Sequence, residues 1–283
     1  MQMKLEAKYP LSVHLTKQIA KVSKTVVANL TLNENEISYF IRFKNETWPV
    51  TLRLNADGSG VQVISTNSQP EFQEFLSKQV RNFLSLDDDL APLYQLGIKD
   101  PIFAPIQAAM KGVHQLKFET PFAAGLWAII STRNSWTNAH NQTQRLLIDN
   151  AYPTPTDILK LNKEELGKLI NNDRKAGYML NLAEAFAPSY EADLNLFANA
   201  SSDTAEAFLK QIKGIGDWSS HFILVRGMGK MDKAPLAEKL NQTTIANFYP
   251  GIEPARMLKY YGDLQAYWLL YLRYYSQVSK KIS

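Results

Sequence analysis

Residues 203–238, DTAEAFLKQIKGIGDWSSHFILVRGMGKMDKAPLAE, decide how the chain is read. They predict a helix, a four-residue turn, a second helix and a loop that ends on an acidic residue. Asp203 is placed to cap the first helix, with Glu206 three residues on as its capping-box partner. Phe208, Leu209 and Ile212 give that helix one apolar stripe. Lys213-Gly214-Ile215-Gly216 breaks it, because two glycines around one apolar residue allow a tight turn and a close approach to the backbone. The second helix is expected from Trp218 to about Arg226. Backbone N–H groups at such a turn, beside a helix start, make a ready-made phosphate site. An ordinary αα-hairpin with a glycine turn shows the same pattern, so on these residues alone both readings stand.

The whole chain has 283 residues, 45% apolar and 20% charged, which is material for two domains with sizeable cores. They are expected at 1–94 and 95–283. No run of about eighteen apolar residues occurs, so no transmembrane helix is expected. The opening residues MQMKLEAKYP lack the apolar segment of a secretory signal, and a cytoplasmic location is the expectation. The absence of cysteine excludes disulfides, thiolate zinc sites and a cysteine-ligated iron–sulfur cluster. His14, His114, His140 and His221 are scattered without metal-ligand spacing. A net charge of +4 and a pI near 9.0 suit a nucleic-acid partner without requiring one.

Upstream, residues 1–85 read as a strand-rich unit. VVANLTL (26–32), EISYFIRF (36–43), PVTLRLN (49–55) and GVQVIST (60–66) are rich in β-branched and aromatic residues, with turns between them at 33–36, 44–48 and 57–60. An antiparallel sheet of four or five strands follows, with an amphipathic helix from Pro70 to Leu84 packed on one face. From Asp87 the pattern turns helical. Thr120-Pro121 is a cap followed by proline at the first helical position. The helix it opens is apolar nearly all round and ends abruptly in the polar stretch Ser131–Ser135, which must reach a surface or a cleft. Thr154-Pro155-Thr156-Asp157 and Asn162-Lys163-Glu164-Glu165 open two further helices, and Asp173-Arg174-Lys175 a longer one through Phe186. The fold class is α+β: an N-terminal antiparallel sheet domain with a helix, then an all-α bundle that carries the hairpin at 203–226 and an acidic loop at 227–238.

From about Thr120 to Tyr275 the chain resembles the helix-hairpin-helix DNA glycosylases, in particular the 3-methyladenine DNA glycosylase II branch. The resemblance rests on PFAAGLWAIISTRNS (121–135), YPTPTDILKLNKEELGKL (152–169), DRKAGYMLNLAEAF (173–186) and above all LKQIKGIGDWSSHFILVRGMGKMD (209–232), in the order and at about the spacing of that family. It implies an enzyme of base-excision repair that flips a damaged nucleotide out of duplex DNA and hydrolyses its N-glycosidic bond. Alkylated purines of the 3-methyladenine type are the implied substrates, and a monomer is the implied state. It places a phosphate grip on Lys213, Gly214 and Gly216. It places a monovalent cation on the main-chain carbonyls of Lys210, Ile212 and Gly214, with no other cofactor. Relatives that also nick the strand use a lysine nucleophile early in the second hairpin helix, where this chain has Trp218. A monofunctional enzyme is therefore implied, with Trp218 and Phe222 as a wall for the flipped base; a plain core role for both is the alternative.

The chain departs from the family pattern at four places, one of them the pair Thr132 and Arg133. The catalytic aspartate of the loop falls on Glu238, whose extra methylene adds about 1.5 Å of reach, where a ~1 Å misplacement can cost about 100-fold. Asp217 follows the turn directly, with a charge that opposes a bound phosphate. Asp232 matches a second acidic position with a structural part to play. Thr132 and Arg133 stand in place of a glutamine and an apolar wedge, which assigns Thr132 to the base pocket and Arg133 to the gap in the duplex. Arg273 replaces a pocket tryptophan that cradles cationic bases; a cation there favours a neutral, carbonyl-bearing base. Against the enzyme stand two other readings: a degenerate protein of the same fold that binds damaged DNA without cutting it, and a helical domain with no nucleic-acid role.

Overall fold

Alternation in the N-terminal third folds into one antiparallel sheet. The computed structural model describes residues 1–22, 30–187 and 199–279. Its strands are β1 (Gln2–Glu6), β2 (Thr31–Leu32), β3 (Glu36–Phe43), β4 (Glu46–Leu54) and β5 (Gly60–Ser65), in the order β1-β5-β4-β3-β2. β1 and the helix α1 (Val13–Val22) lie where the sequence reading assigns no element. Of the strand expected at 26–32, Thr31 and Leu32 pair with β3, and residues 23–29 lie outside the described residues. The turn expected at 44–48 is shorter. Glu46, Thr47 and Trp48 pair with Phe43, Arg42 and Ile41, and the reversal falls on Lys44, with φ at +55°, and Asn45. The reason is the β-propensity of Thr47 and Trp48, which extends the ladder to a two-residue connection.

The helix α2 (Pro70–Leu84) lies on the sheet as its apolar stripe predicts. Phe72 and Phe83 meet Phe43 and Tyr39 with ring centroids 5.5 and 5.6 Å apart. The bundle follows as α3 (Ala91–Gly97), α4 (Phe103–Ala109), α5 (Pro121–Ser131), α6 (Trp136–Leu146), α7 (Pro155–Leu159), α8 (Lys163–Ile170), α9 (Asp173–Phe186), α10 (Ser202–Gln211) and α11 (Asp217–Ile223). A π-helical turn (Leu224–Met228), α12 (Lys239–Phe248), α13 (Pro254–Tyr261) and α14 (Gln265–Ser279) complete it. Among the described residues no helix is long and apolar enough to cross a membrane.

Local caps set most of these starts. Thr120 accepts the N–H of Ala123 at 2.9 Å, and α7 and α8 open on the capping boxes of Thr154 with Asp157 and Asn162 with Glu165. The cap of α10 is Ser201 rather than Asp203. The Ser201 hydroxyl accepts the N–H of Thr204, whereas Asp203 sits inside the first turn and pairs with Lys233 at 2.7 Å. Glu206 likewise turns to Lys210 at 2.6 Å and not back to the helix start. α5 is buried from Pro121 to Ile130 and forms the axis of the bundle.

Sheet and bundle share one continuous apolar core, and one buried ion pair crosses between them. Arg42 on β3 grips Asp157 on α7 with Nε and Nη2 at 2.5 and 3.0 Å, the two side chains 7% and 3% exposed. Burial pushes the Asp157 carboxyl up. Hydrogen bonds from Arg42 and from the backbone and hydroxyl of Thr154 outweigh that and hold it at about 2.

Arg42→Met is expected to cost about 3 kcal/mol, because it strands a buried carboxylate. A carboxyl with a depressed folded pKa contributes its stability above the unfolded value of about 3.9 and loses it as the pH falls toward about 2. Urea unfolding of both proteins should therefore show the penalty in full at pH 7 and little of it near pH 2; an equal penalty at both would contradict the assignment.

Candidate active site

The glycine turn between α10 and α11 is supported from α9. Gly214 holds φ at +111°, and a Cβ there would sit 2.3 Å from the Cγ of Tyr178. The turn thus rests its backbone directly on an aromatic ring, which only glycine allows. Arg174 lies 5.6 Å from the centre of that ring, and its Nε donates to the Tyr178 hydroxyl at 2.7 Å. Asn181, also on α9, donates to the Lys213 carbonyl at 3.0 Å. Gly216 is different. Its φ is −108°, and nothing lies within 4 Å of where a Cβ would stand, so its outer face is open.

The charge conflict at Asp217 is resolved by geometry. Its carboxylate turns back to Lys210 at 2.8 Å, and Lys210 also holds Glu206. Lys213 is exposed at the turn. The N–H of Gly216 donates to the Ser219 hydroxyl at 2.8 Å, so that donor serves the helix cap and is not free for a phosphate. Of the three carbonyls expected around a cation, that of Ile212 accepts the N–H of Ile215 at 3.0 Å, which leaves it one lone pair.

One turn beyond, a cleft of about 130 Å³ opens. Trp218 and Phe222 form one wall, their ring centroids 5.3 Å apart. Glu238, Asn241, Arg226, Gln115 and Arg273 supply polar lining, with Leu269 and Leu270 among the apolar residues opposite. The structure therefore brings Trp218, Phe222, Glu238 and Arg273 to one site, as the sequence reading expects.

Glu238 stands at the N-cap position of α12, where the helix dipole favours a carboxylate. Its Oε2 accepts Arg273 Nη1 at 3.0 Å and Asn241 Nδ2 at 3.2 Å. Asn241 is fully buried and also donates to the Pro235 carbonyl at 2.7 Å. Arg273, expected as a pocket cation, lines the cleft and is the ion-pair partner of Glu238. Asp232 plays a structural part: it accepts the Ser202 hydroxyl at the start of α10.

Thr132 does not line the cleft. It is exposed at the end of α5, and its hydroxyl donates to the Ala128 carbonyl at 2.8 Å, closing the helix. Arg133 follows with φ at +50° on an exposed tip. That tip is braced: Asn134 donates to the Ile130 carbonyl at 3.1 Å and to Gln142 at 2.7 Å.

Several lining or supporting residues escape the sequence reading. Asn241 was findable, three residues after Glu238 on a helix start. Arg226 appears in sequence only as the end of a helix, and its entry to the cleft depends on the π-turn. Gln115 and Tyr178 carry no local signal.

No family model matches the chain. It is 22% identical over 223 residues to a DNA-3-methyladenine glycosylase of Bacillus subtilis, covering 70% of this chain and 73% of that protein. Its fold matches the 3-methyladenine DNA-glycosylase of Archaeoglobus fulgidus with a TM-score of 0.76 at 17% identity, over 97% of this chain and 98% of that one. It also matches the Clostridium acetobutylicum 8-oxoguanine glycosylase/lyase bound to double-stranded DNA, with a TM-score of 0.67 at 16% identity over 98% of both chains. The chain has the α+β fold of these helix-hairpin-helix DNA glycosylases.

The two glycines should respond differently to alanine. Gly214→Ala forces a side chain into the Tyr178 ring at a disfavoured φ and is expected to cost about 1–3 kcal/mol. Gly216→Ala meets open space and should cost under about 1 kcal/mol, the loss of a tolerable cap residue. Denaturant melts of the two variants check the order.

Proposed function

We propose that the chain is a DNA glycosylase that hydrolyses the N-glycosidic bond of a damaged purine flipped out of duplex DNA. The observation that carries this reading is a carboxylate, Glu238, held in a cleft walled by Trp218 and Phe222 on the helix that directly follows the glycine turn.

In this reading the open face at Gly216, the exposed Lys213 and the first-turn N–H groups of α11 meet a backbone phosphate. Arg133, on its braced tip, enters the gap the nucleotide leaves. Flipping costs a few kcal/mol of stacking, offset by stacking of the base on Trp218 and Phe222. The bond from C1′ to the base nitrogen then breaks, and its electron pair leaves with the base. Positive charge grows on the sugar, and the Glu238 carboxylate stabilises it electrostatically. Water adds its oxygen to C1′ and gives up a proton, and the departing base takes one up. No lysine is among the cleft's lining residues, and Trp218 stands where a strand-nicking relative keeps its nucleophile. Both points support a monofunctional enzyme that leaves an abasic site intact. A monovalent cation on the carbonyls of Lys210, Ile212 and Gly214 suits their hard oxygen donors and would draw the phosphate to the turn.

One observation favours a second reading. The Arg273 guanidinium already occupies the Glu238 carboxylate, as it would in a protein that reads damaged DNA without cutting it.

Purified protein is expected to release free base from methylated duplex DNA, leaving abasic sites that break only on later alkali treatment. Glu238→Gln should lower release by about 100-fold or more. Gly216→Ala should weaken duplex binding while the fold loses no more than about 1 kcal/mol. Salt-dependent binding with no release from any lesion would select the second reading, and release that survives Glu238→Gln would remove Glu238 from the chemistry.

A further inference from the structure

Arg226 is the one arginine of the cleft with no ion-pair partner among the described residues; it has a side-chain hydrogen bond to Tyr274 and feels the Glu238 carboxylate at longer range. The π-turn presents its side chain to the cleft beside Phe222, one turn away on the same wall as Trp218. Its Nε is buried with no hydrogen-bond partner. The second arginine, Arg273, is taken by Glu238 at 3.0 Å. Two acceptors on the same lining are equally unanswered: Gln115 Oε1 and Asn241 Oδ1 are buried without a partner, on side chains that are 0% exposed. The amide nitrogen of Gln115 is fixed on the Leu116 carbonyl at 2.7 Å, which turns its oxygen to the remaining side.

Resting on the glycosylase reading above, we infer that Arg226 is the base-reading residue of this cleft, and that the base it selects is neutral and carries a carbonyl oxygen. A donor beside an acceptor matches the edge of a purine in which a carbonyl neighbours a ring N–H. Arg226 donates to the carbonyl, and Gln115 Oε1 accepts from the ring nitrogen. Two cations against one carboxylate leave the cleft with a net positive charge, which repels a cationic alkylated base. The chemistry of departure points the same way. A cationic base leaves neutral and needs no help with its electrons. A neutral base leaves as an anion, and the charge spreads onto its carbonyl oxygen, where a fixed cation in a dry site is most effective. Arg226 thus touches the leaving group and separates one substrate class from another, while Glu238 acts on the sugar.

The test uses the full chain and three DNA substrates. One duplex carries hypoxanthine, which is neutral with a carbonyl. Another carries 1,N6-ethenoadenine, which is neutral without one, and the third is methylated DNA, whose lesions are cationic. Wild type is expected to release hypoxanthine at least about 10-fold faster than ethenoadenine. Arg226→Gln should shrink that ratio by about 100-fold, and Arg226→Lys should restore only part of it, because lysine lacks the planar fork. A variant that slows all three substrates alike, or a wild type that prefers ethenoadenine or methylated DNA, overturns the inference. Should Arg226→Gln fail to fold by thermal melting, the wild-type preference alone decides. Should no duplex release a base, the glycosylase reading falls, and gel-shift affinities for the same three DNAs decide on Arg226: tighter binding of the hypoxanthine duplex that the variant loses supports it, and equal binding refutes it.

Discussion

The cleft depends on how closely the π-turn at Leu224–Met228 approaches α5. A Cβ on Gly227 would lie 2.9 Å from the Cα of Pro121 and 3.0 Å from the Cβ of Ala124, so the contact exists only because residue 227 has no side chain. The turn is pinned from the sheet side as well. The N–H of Phe118 donates to the Arg226 carbonyl at 2.7 Å, and Asn82 on α2 donates to the Gly227 carbonyl at 3.3 Å. A π-turn carries one residue more than the α-helix it interrupts and is commonly kept where a side chain must be re-aimed. Here the re-aimed side chain is Arg226. The chain then leaves in the direction that carries the loop past α14, where the N–H of Ala266 donates to the Met231 carbonyl at 2.9 Å and Gln265 donates to the Asp232 carbonyl at 2.7 Å. The placement of Glu238 is thus inherited from packing that begins at Gly227.

A second consequence is that the charges near the hairpin are sorted into two groups that do not mix. On the outer side, Lys210, Glu206, Asp217, His221, Lys233 and Asp203 form a chain of contacts between 2.6 and 3.5 Å. Half of these side chains are exposed, and pairs among solvated charges contribute little stability. Their effect is on placement: they draw the negative charge of Asp217 away from the face where Gly216 is open. On the inner side, Glu238, Arg273 and Arg226 lie in the cleft, where desolvation makes each charge count for more. Trp218 and Phe222 stand on the helix between the two groups, which in the proposed reading lets one short helix serve both a phosphate and a base.

What the sequence made legible follows from the range of each interaction. Caps are set within three residues, and Thr120, Thr154 and Asn162 are found where the sequence puts them. The amphipathic run of Pro70–Leu84 is likewise its own evidence. Asp203 failed as a cap because Ser201, two residues earlier, competes for the same backbone donors, and Lys233, thirty residues away, holds the aspartate. Thr132 failed as a pocket residue because its hydroxyl has a nearer carbonyl on its own helix. Trp218, Phe222, Glu238 and Arg273 could be assembled because the resemblance supplies their relative placement. The pairing of Arg273 with Glu238 could not, since it joins two side chains thirty-five residues apart whose rotamers the sequence does not set. Nothing local announces a π-turn, and Gln115 reaches the cleft only through the return of residues 113–118 along α2, where Lys117 donates to the Phe83 carbonyl.

The unanswered polar atoms of the cleft bear on what the site is for. A buried donor or acceptor without a partner costs about 1–3 kcal/mol, and a domain has only some 5–15 kcal/mol in hand. Arg226 Nε, Gln115 Oε1 and Asn241 Oδ1 stand unpartnered on the lining of one cleft. Folding alone gives no reason to keep them, since apolar residues of similar shape would be more stable there. The same reasoning separates the two arginines. Arg273 is answered by Glu238 and contributes to a settled structure. Arg226 has Tyr274 beside it, but its Nε stays unmet, and that donor becomes an energetic gain only when something with an acceptor enters the cleft. A reader that merely tolerates distorted DNA has no use for that arrangement, because phosphate contacts and shape suffice for it. In the proposed reading, a site that distinguishes one extruded base from another does.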